Sequence, residues 1–162
     1  MNMKRLYIFL LAVVGVIAVR ADYEESMLTG LKGVGLEIRP INLQSDTFDL
    51  SVSAIENHII DRLEHWGIRF LSDMELEVMP GQPFLEVSLD VIHAQGPSHL
   101  YVIQLELREM AELKRPQDSV VTIAVGTWER QSMGVANRVE AIYNEVDKLL
   151  RLFADELVAV NR

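Results

Sequence analysis

The strongest constraint on the fold comes from three runs of alternating apolar and polar residues in the second half of the chain. In the first two runs the apolar positions are Leu85, Val87, Leu89 and Val91, then Tyr101, Ile103, Leu105 and Leu107. The third run covers residues 120–128. Apolar side chains at every second position indicate strands with one buried face. Because turn residues at 95–98 and 114–118 separate the runs, we predict an antiparallel three-stranded meander.

Two other segments have apolar residues at helical spacing. They are Val52, Ile55, Ile59, Leu63 and Trp66 in the first segment, and Val139, Ile142, Val146, Leu149, Phe153, Leu157 and Val160 in the second. Steps of three and four residues place each set on one stripe of a helix. Asp49 or Ser51 can cap the start of the first helix, and Gly67 suits the left-handed position that ends it.

Three shorter elements complete the predicted order. Residues 33–40 alternate up to Pro40, which predicts a first strand that ends at this proline. Residues 68–71 predict a short second strand, and Ser72 with Glu75 predicts a capped helical turn. The whole pattern predicts an α+β two-layer sandwich with the order β-α-β-β-β-β-α. Its mainly antiparallel sheet carries both amphipathic helices on one face.

The first 21 residues predict a signal peptide. Lys4 and Arg5 precede an apolar run at residues 6–19, and the small residues Val19 and Ala21 place cleavage after residue 21. The run is shorter than the roughly 20 residues that cross a hydrocarbon core. Arg20 in the cleavage region leaves an uncleaved anchor as the alternative. We therefore expect a periplasmic or secreted protein with one domain at residues 22–162.

The negative charge and the absence of cysteine exclude several classes of partner and site. Residues 1–21 contain three of the 15 basic residues and no acidic one, so the rest of the chain has 12 basic and 24 acidic side chains and a formal charge of −12. We expect such a polyanion to bind no nucleic acid and, without its signal peptide, not to insert stably in a membrane. The chain has no cysteine, which excludes disulfides, thiolate metal sites and a lipid-modified N-terminal cysteine. We expect no cofactor.

Two clusters could support catalysis or metal binding. If the first two long strands pair in register, His93 faces His99 across the hairpin, where Asp90 could complete a weak divalent metal site. The alternative is two solvated turn histidines. Glu86 and Glu106 are predicted to be cross-strand neighbours on the polar face, which would raise the pKa of one of them. Such a pair is the minimum for glycoside hydrolysis, and its alternative is a solvated sheet face.

Trp128 is the candidate for partner binding. It falls on the face opposite Val121 and Val125 and would form a shallow apolar patch on a polar, helix-free sheet face, together with Arg108 and Gln104 as binding residues. The alternative is that the strand twists or bulges at Gly126 and returns Trp128 to the core.

Several short motifs together carry a family resemblance. They are residues 30–34, the helix end at 62–68, residues 80–87, Thr127-Trp128 with Gly134, and residues 157–161. As a set they resemble a family of small exported bacterial proteins of unknown function, and they span nearly all of residues 22–162. The resemblance implies an exported α+β domain and no catalytic residues. The architecture of this family is similar to that of small envelope modules such as the N-terminal domain of the Tol-Pal translocation protein.

The sequence thus predicts a non-enzymatic, envelope-associated binding or assembly module with an envelope protein as its partner. The alternative is a metal-dependent or carboxylate-based hydrolase. The sequence predicts no oligomeric state.

Overall fold

The structure is a computed structural model that describes residues 27–44, 50–114 and 120–162. The elements in chain order are β1 (Gly35–Gln44), α1 (Val52–His65), α2 (Asp73–Val78), β2 (Phe84–His93), β3 (His99–Lys114), β4 (Val120–Ala136) and α3 (Val139–Val160). The predicted signal peptide, the capping candidate Asp49 and residues 115–118 of the predicted turn lie outside the described residues. None of the helices in the described residues is long and apolar enough to cross a membrane.

The predicted α+β class is confirmed. The four strands form one sheet in the order β1-β2-β3-β4, in which only the β1–β2 pair is parallel. The predicted meander is β2-β3-β4, and its first hairpin has the predicted register, with Val91 opposite Tyr101. The two long helices pack their apolar stripes on one face of this sheet and form a single core with it.

One predicted strand boundary and one predicted strand are wrong. β1 does not end at Pro40 but continues to Gln44, with a register shift between Pro40 and Asn42. Because β1 is an edge strand, a residue without an N–H is tolerated there. Residues 68–71 form no full strand, since only Phe70 makes an isolated parallel bridge, to Val34. The described sheet therefore has four strands where the sequence predicts five.

The predicted signals at the ends of α1 are confirmed. The Ser51 hydroxyl accepts a hydrogen bond from the Ala54 N–H at 3.1 Å, which caps the first turn. At the other end Gly67 adopts a φ of 78°, and the Ile68 N–H donates to the Leu63 carbonyl at 2.9 Å. This 6→1 hydrogen bond is that of a Schellman motif, which turns the chain away from the helix. The predicted Ser72–Glu75 capping box starts α2.

β3 and β4 are longer than the sequence predicts, and this changes the shape of the sheet. β3 has 16 residues and β4 has 17, whereas β2 has 10. Beyond Arg108 and Gly126, the β3–β4 hairpin continues past the start of β2. The sheet therefore has a four-stranded part, which the helices cover, and a two-stranded extension.

Candidate functional site

The sheet face opposite α1 and α3, which we call the helix-free face although Leu76 of α2 lies over Gly35 at its rim, carries a row of four glutamates, one on each strand. Strand register places Glu37 beside Glu86, Glu86 beside Glu106 and Glu106 beside Glu129. We call these four residues the acidic row. The predicted cross-strand pairing of Glu86 and Glu106 is thereby confirmed. Four like charges in neighbouring positions destabilise a sheet unless cations lie among them.

Arg108 and Arg39 supply those cations. The Arg108 Nη1 donates to Glu86 Oε2 at 2.8 Å, and Arg39 Nη2 lies 3.2 Å from the same oxygen. The hydrogen bond to Glu86 is the main cause that raises the pKa of Arg108, which therefore remains a cation. Glu86 is only 5% exposed, so its carboxylate depends on these two arginines for charge compensation.

Glu106 lies on the other side of Arg108 and is less well paired. Its Oε1 is 3.9 Å from the Arg108 Nε, and this nitrogen is buried without a hydrogen-bond partner among the residues that the structure describes. Burial is the main cause that raises the pKa of Glu106, and the charges of Glu86 and Glu129 add to the rise. The carboxylate lies over Gly126, where a β-carbon would collide with it. The glycine therefore makes room for the acidic row.

The raised pKa of Glu106 makes its ionised form costly in the folded protein. Between the ordinary value of 4.5 and the higher folded value, the folded state binds more protons than the unfolded state, so stability falls as pH rises through this window. We therefore expect Glu106→Gln to stabilise the protein at neutral pH and to give no gain at pH values below 4.5. Urea denaturation at several pH values, with Glu112→Gln as an exposed control on β3, measures the difference. A variant less stable than wild type at neutral pH would contradict this.

Trp128 is not exposed on the helix-free face, so the predicted apolar patch around it is wrong. The register shifts between Leu107, opposite Trp128, and Arg108, opposite Gly126, which leaves Thr127 as an extra residue in β4. This bulge turns Trp128 into the core, where it is 2% exposed and its ring lies edge-to-face on Phe153 at 5.1 Å. The alternative of a bulge at Gly126 is therefore confirmed.

The other two predicted binding residues do lie on the helix-free face. Arg108 is engaged with Glu86 as described above, and Gln104 donates to Glu129 Oε1 at 3.0 Å. Both side chains border the acidic row, but they do not surround an exposed tryptophan. Their role in binding a partner stays a prediction.

An apolar patch does exist on this face, at the end away from Trp128. Its members are Ile92 on β2, Leu100 and Val102 on β3, and Met133 and Val135 on β4. Ile92, Leu100 and Val135 lie side by side, and Val102 is opposite Met133. We call these five residues the apolar patch. Met133 is 70% and Val135 62% exposed, and such contiguous exposure marks interaction surfaces in soluble proteins.

The β3 part of the patch could be found by extending the alternation along the strand. Gln104, Glu106 and Arg108 are recognised from sequence as outward residues, and two more steps backward lead to Val102 and Leu100. Met133 and Val135 lie on this face only because of the bulge, since an unbroken alternation through Trp128 would turn both residues to the helix side. The sequence signal was therefore present for β3, beyond the predicted strand end, but not for β4, where the bulge decides which face Met133 and Val135 share.

His93 and His99 pair across the hairpin as predicted, but Asp90 does not join them as a third ligand. His93 is opposite His99, and their rings are 5.1 Å apart in an edge-to-face arrangement. Asp90 is an odd number of residues away from His93 along β2, so it points to the other face of the sheet and cannot complete the site. In the described part of the chain no group of three or more metal-ligating side chains comes together. The predicted metal site with Asp90 is therefore wrong.

Comparisons with known proteins find likeness in structure only. No protein-family model matches the chain, and no curated protein matches its sequence. A solved PelC dodecamer from Paraburkholderia phytofirmans is 17% identical with a TM-score of 0.42, over 75% of this chain and 85% of that one. A minor lipoprotein from Acinetobacter baumannii is 13% identical with a TM-score of 0.38, over 81% and 93% of the two chains.

A third solved structure is the rare lipoprotein B from Shewanella oneidensis. It is 10% identical with a TM-score of 0.24, over 77% of this chain and 91% of that one. Likeness at these values assigns the chain to no family and no function.

Proposed function

We propose that this chain is a non-enzymatic, exported binding module whose helix-free sheet face holds a protein of the cell envelope. The observation that carries the proposal is the apolar patch, which lies on the same face as the acidic row. The predicted signal peptide supports export to the periplasm or secretion, and the family resemblance is to exported proteins. The face is open because both long helices pack on the opposite side of the sheet.

The apolar and charged groups on this face indicate which groups a complementary partner must present. One end offers five exposed apolar side chains, and the other offers four glutamates with two arginines among them. The net charge of that end is negative, and the formal charge of the whole chain is −9. A complementary partner presents an apolar centre flanked by lysines or arginines. Amides such as Gln104 and Gln131 lie between the two ends and supply hydrogen bonds at the boundary.

A hydrolase built on Glu86 and Glu106 is the second candidate, and the contacts of Glu86 argue against it. A catalytic carboxylate must reach the substrate, either as an acid or as a nucleophile. The Glu86 carboxylate is buried and already engaged by Arg108 and Arg39. The arrangement is that of a structural ion-pair cluster, in which arginine keeps acidic neighbours compatible.

Met133→Lys tests the proposed binding face. A charge at the centre of an interface that excludes water is unfavourable, so we expect affinity for the partner to fall about tenfold or more. The partner is first identified by photo-crosslinking from position 133 in cells and mass spectrometry, and the purified proteins are then titrated against each other. We also expect wild-type binding to weaken as salt is added, because the acidic row attracts a cationic rim.

Met74→Lys is the matched control, because Met74 is 80% exposed on α2 and is not part of the patch. Both lysine variants are expected to unfold at the same urea concentration as wild type, since neither position is buried. The proposal fails if Met133→Lys and Met74→Lys bind the crosslinked partner equally well.

A further inference from the structure

β4 is an edge strand whose first half is uncharged. Residues 120–127 read Val-Val-Thr-Ile-Ala-Val-Gly-Thr, with no charged side chain and no proline. Edge strands of this type are open to pairing with another strand unless charges, proline or a covering segment protect them. In the described part of the chain, the outer edge of β4 has no backbone hydrogen-bond partner.

The same residues belong to the two-stranded extension of the sheet. The Met110 N–H donates to the Gly81 carbonyl at 2.6 Å, and this is the last backbone contact of β3 on the β2 side within the described residues. From there residues 111–114 pair only with residues 120–123, and we call these eight residues the β arm. A two-stranded ribbon alone is marginally stable in water, whereas a wider sheet is stable.

The helix side of the β arm is apolar and open. Leu113 is opposite Val121, and Ala111 is opposite Ile123. Leu113 is 42% and Val121 38% exposed, so the arm extends past the helices that cover the rest of this face. The arm therefore combines an unpaired backbone edge with exposed aliphatic side chains.

We propose that the chain forms a two-fold dimer in which residues 120–127 of β4 pair antiparallel with the same residues of a second copy. The pairing would turn two ribbons into one four-stranded sheet and would place their aliphatic rows side by side. A two-fold axis brings the same segment of both chains together, so the segment must be compatible with itself. In residues 120–127 every antiparallel register meets this condition, because no charge can face a like charge.

The negative charge of the chain favours this uncharged edge as the place where two copies pair. With a formal charge of −9, two copies repel each other over most of their surfaces. An uncharged edge about 27 Å long, at roughly 3.4 Å per residue, allows close approach with least repulsion. This interface is separate from the apolar patch, because Val121 and Val135 are 14 residues apart in β4, roughly 48 Å along the strand.

The oligomeric state of purified protein from cells that express the full-length chain tests the proposal. Sedimentation velocity over a range of concentrations is expected to show dimers for wild type and monomers for Val121→Lys, because an inward-facing charge blocks edge pairing. Val135→Lys is the matched control on the same strand and is expected to stay dimeric. Monomeric wild type at all concentrations, or dimers lost only in Val135→Lys, would overturn the proposal.

A cysteine scan provides a second test that does not depend on a destabilising charge. The chain has no cysteine, so single substitutions at each position from 120 to 125 introduce one thiol per copy. Antiparallel partners lie roughly 4.5–5.5 Å apart at Cα, within reach of a disulfide. Under mild oxidation we expect crosslinked dimers at one position or two neighbouring positions, next to the two-fold axis, and none for Val135→Cys. Equal crosslinking at all positions would contradict a fixed pairing.

Discussion

Replacing Trp128 with alanine is expected to lower the free energy of unfolding by about 3–5 kcal/mol. The side chain is 2% exposed and packs edge-to-face on Phe153 of α3. Its Nε1 donates to Glu156 Oε2 at 2.6 Å, and the Arg130 guanidinium lies 4.9 Å from the ring centroid. The substitution would leave a large cavity between β4 and α3. It would also remove a partly buried hydrogen bond that joins these two elements.

Urea denaturation followed by circular dichroism measures this effect. Trp66→Ala is the matched control, because Trp66 lies at the end of α1, is only partly buried and contacts Arg151 at the surface. We expect that variant to lose clearly less stability than Trp128→Ala. If Trp128→Ala instead unfolds at the same urea concentration as wild type, the tryptophan is not a core residue.

Trp128 also shows how far the sequence predicts this fold. Apolar periodicity identifies both long helices and the three long strands, because a buried stripe or face imposes its period directly on the sequence. A bulge adds one residue and reverses the alternation after it. The periodicity of β4 alone is therefore compatible with Trp128 on either face. Its burial follows from the partner strand, since Leu107 pairs with Trp128 and Arg108 pairs with Gly126.

The candidate site was predicted in part, for a similar reason. The pairing of Glu86 with Glu106 follows from hairpin register, which the turn between β2 and β3 fixes. The contact of Arg39 with Glu86 depends on the parallel pairing of β1 with β2, and no local pattern in the sequence encodes the register of two strands joined through a helix. The β3 half of the apolar patch was missed because it lies beyond the predicted strand end, and the β4 half was missed because the bulge sets the face on which Met133 and Val135 lie.

Arg108→Met is the substitution with the second-largest expected effect. It removes the better of the two cations that contact Glu86, at 2.8 Å, and leaves Arg39, whose side chain is half exposed. Truncating one partner of a buried ion pair leaves a charge without compensation, so we expect the free energy of unfolding to fall by about 3 kcal/mol at neutral pH. The methionine side chain replaces the aliphatic part of Arg108 and keeps most of its packing contacts, so the substitution mainly removes the positive charge.

The double variant Glu86→Gln with Arg108→Met separates the ion pair from its surroundings. If the cost of Arg108→Met arises from an unpaired carboxylate, neutralising Glu86 in the same chain should restore most of the lost stability. Arg69→Met is the control, since the Arg69–Glu75 pair is exposed and is expected to contribute less than about 1 kcal/mol. A double variant no more stable than Arg108→Met would show that the cost of Arg108→Met does not arise from an unpaired Glu86 carboxylate.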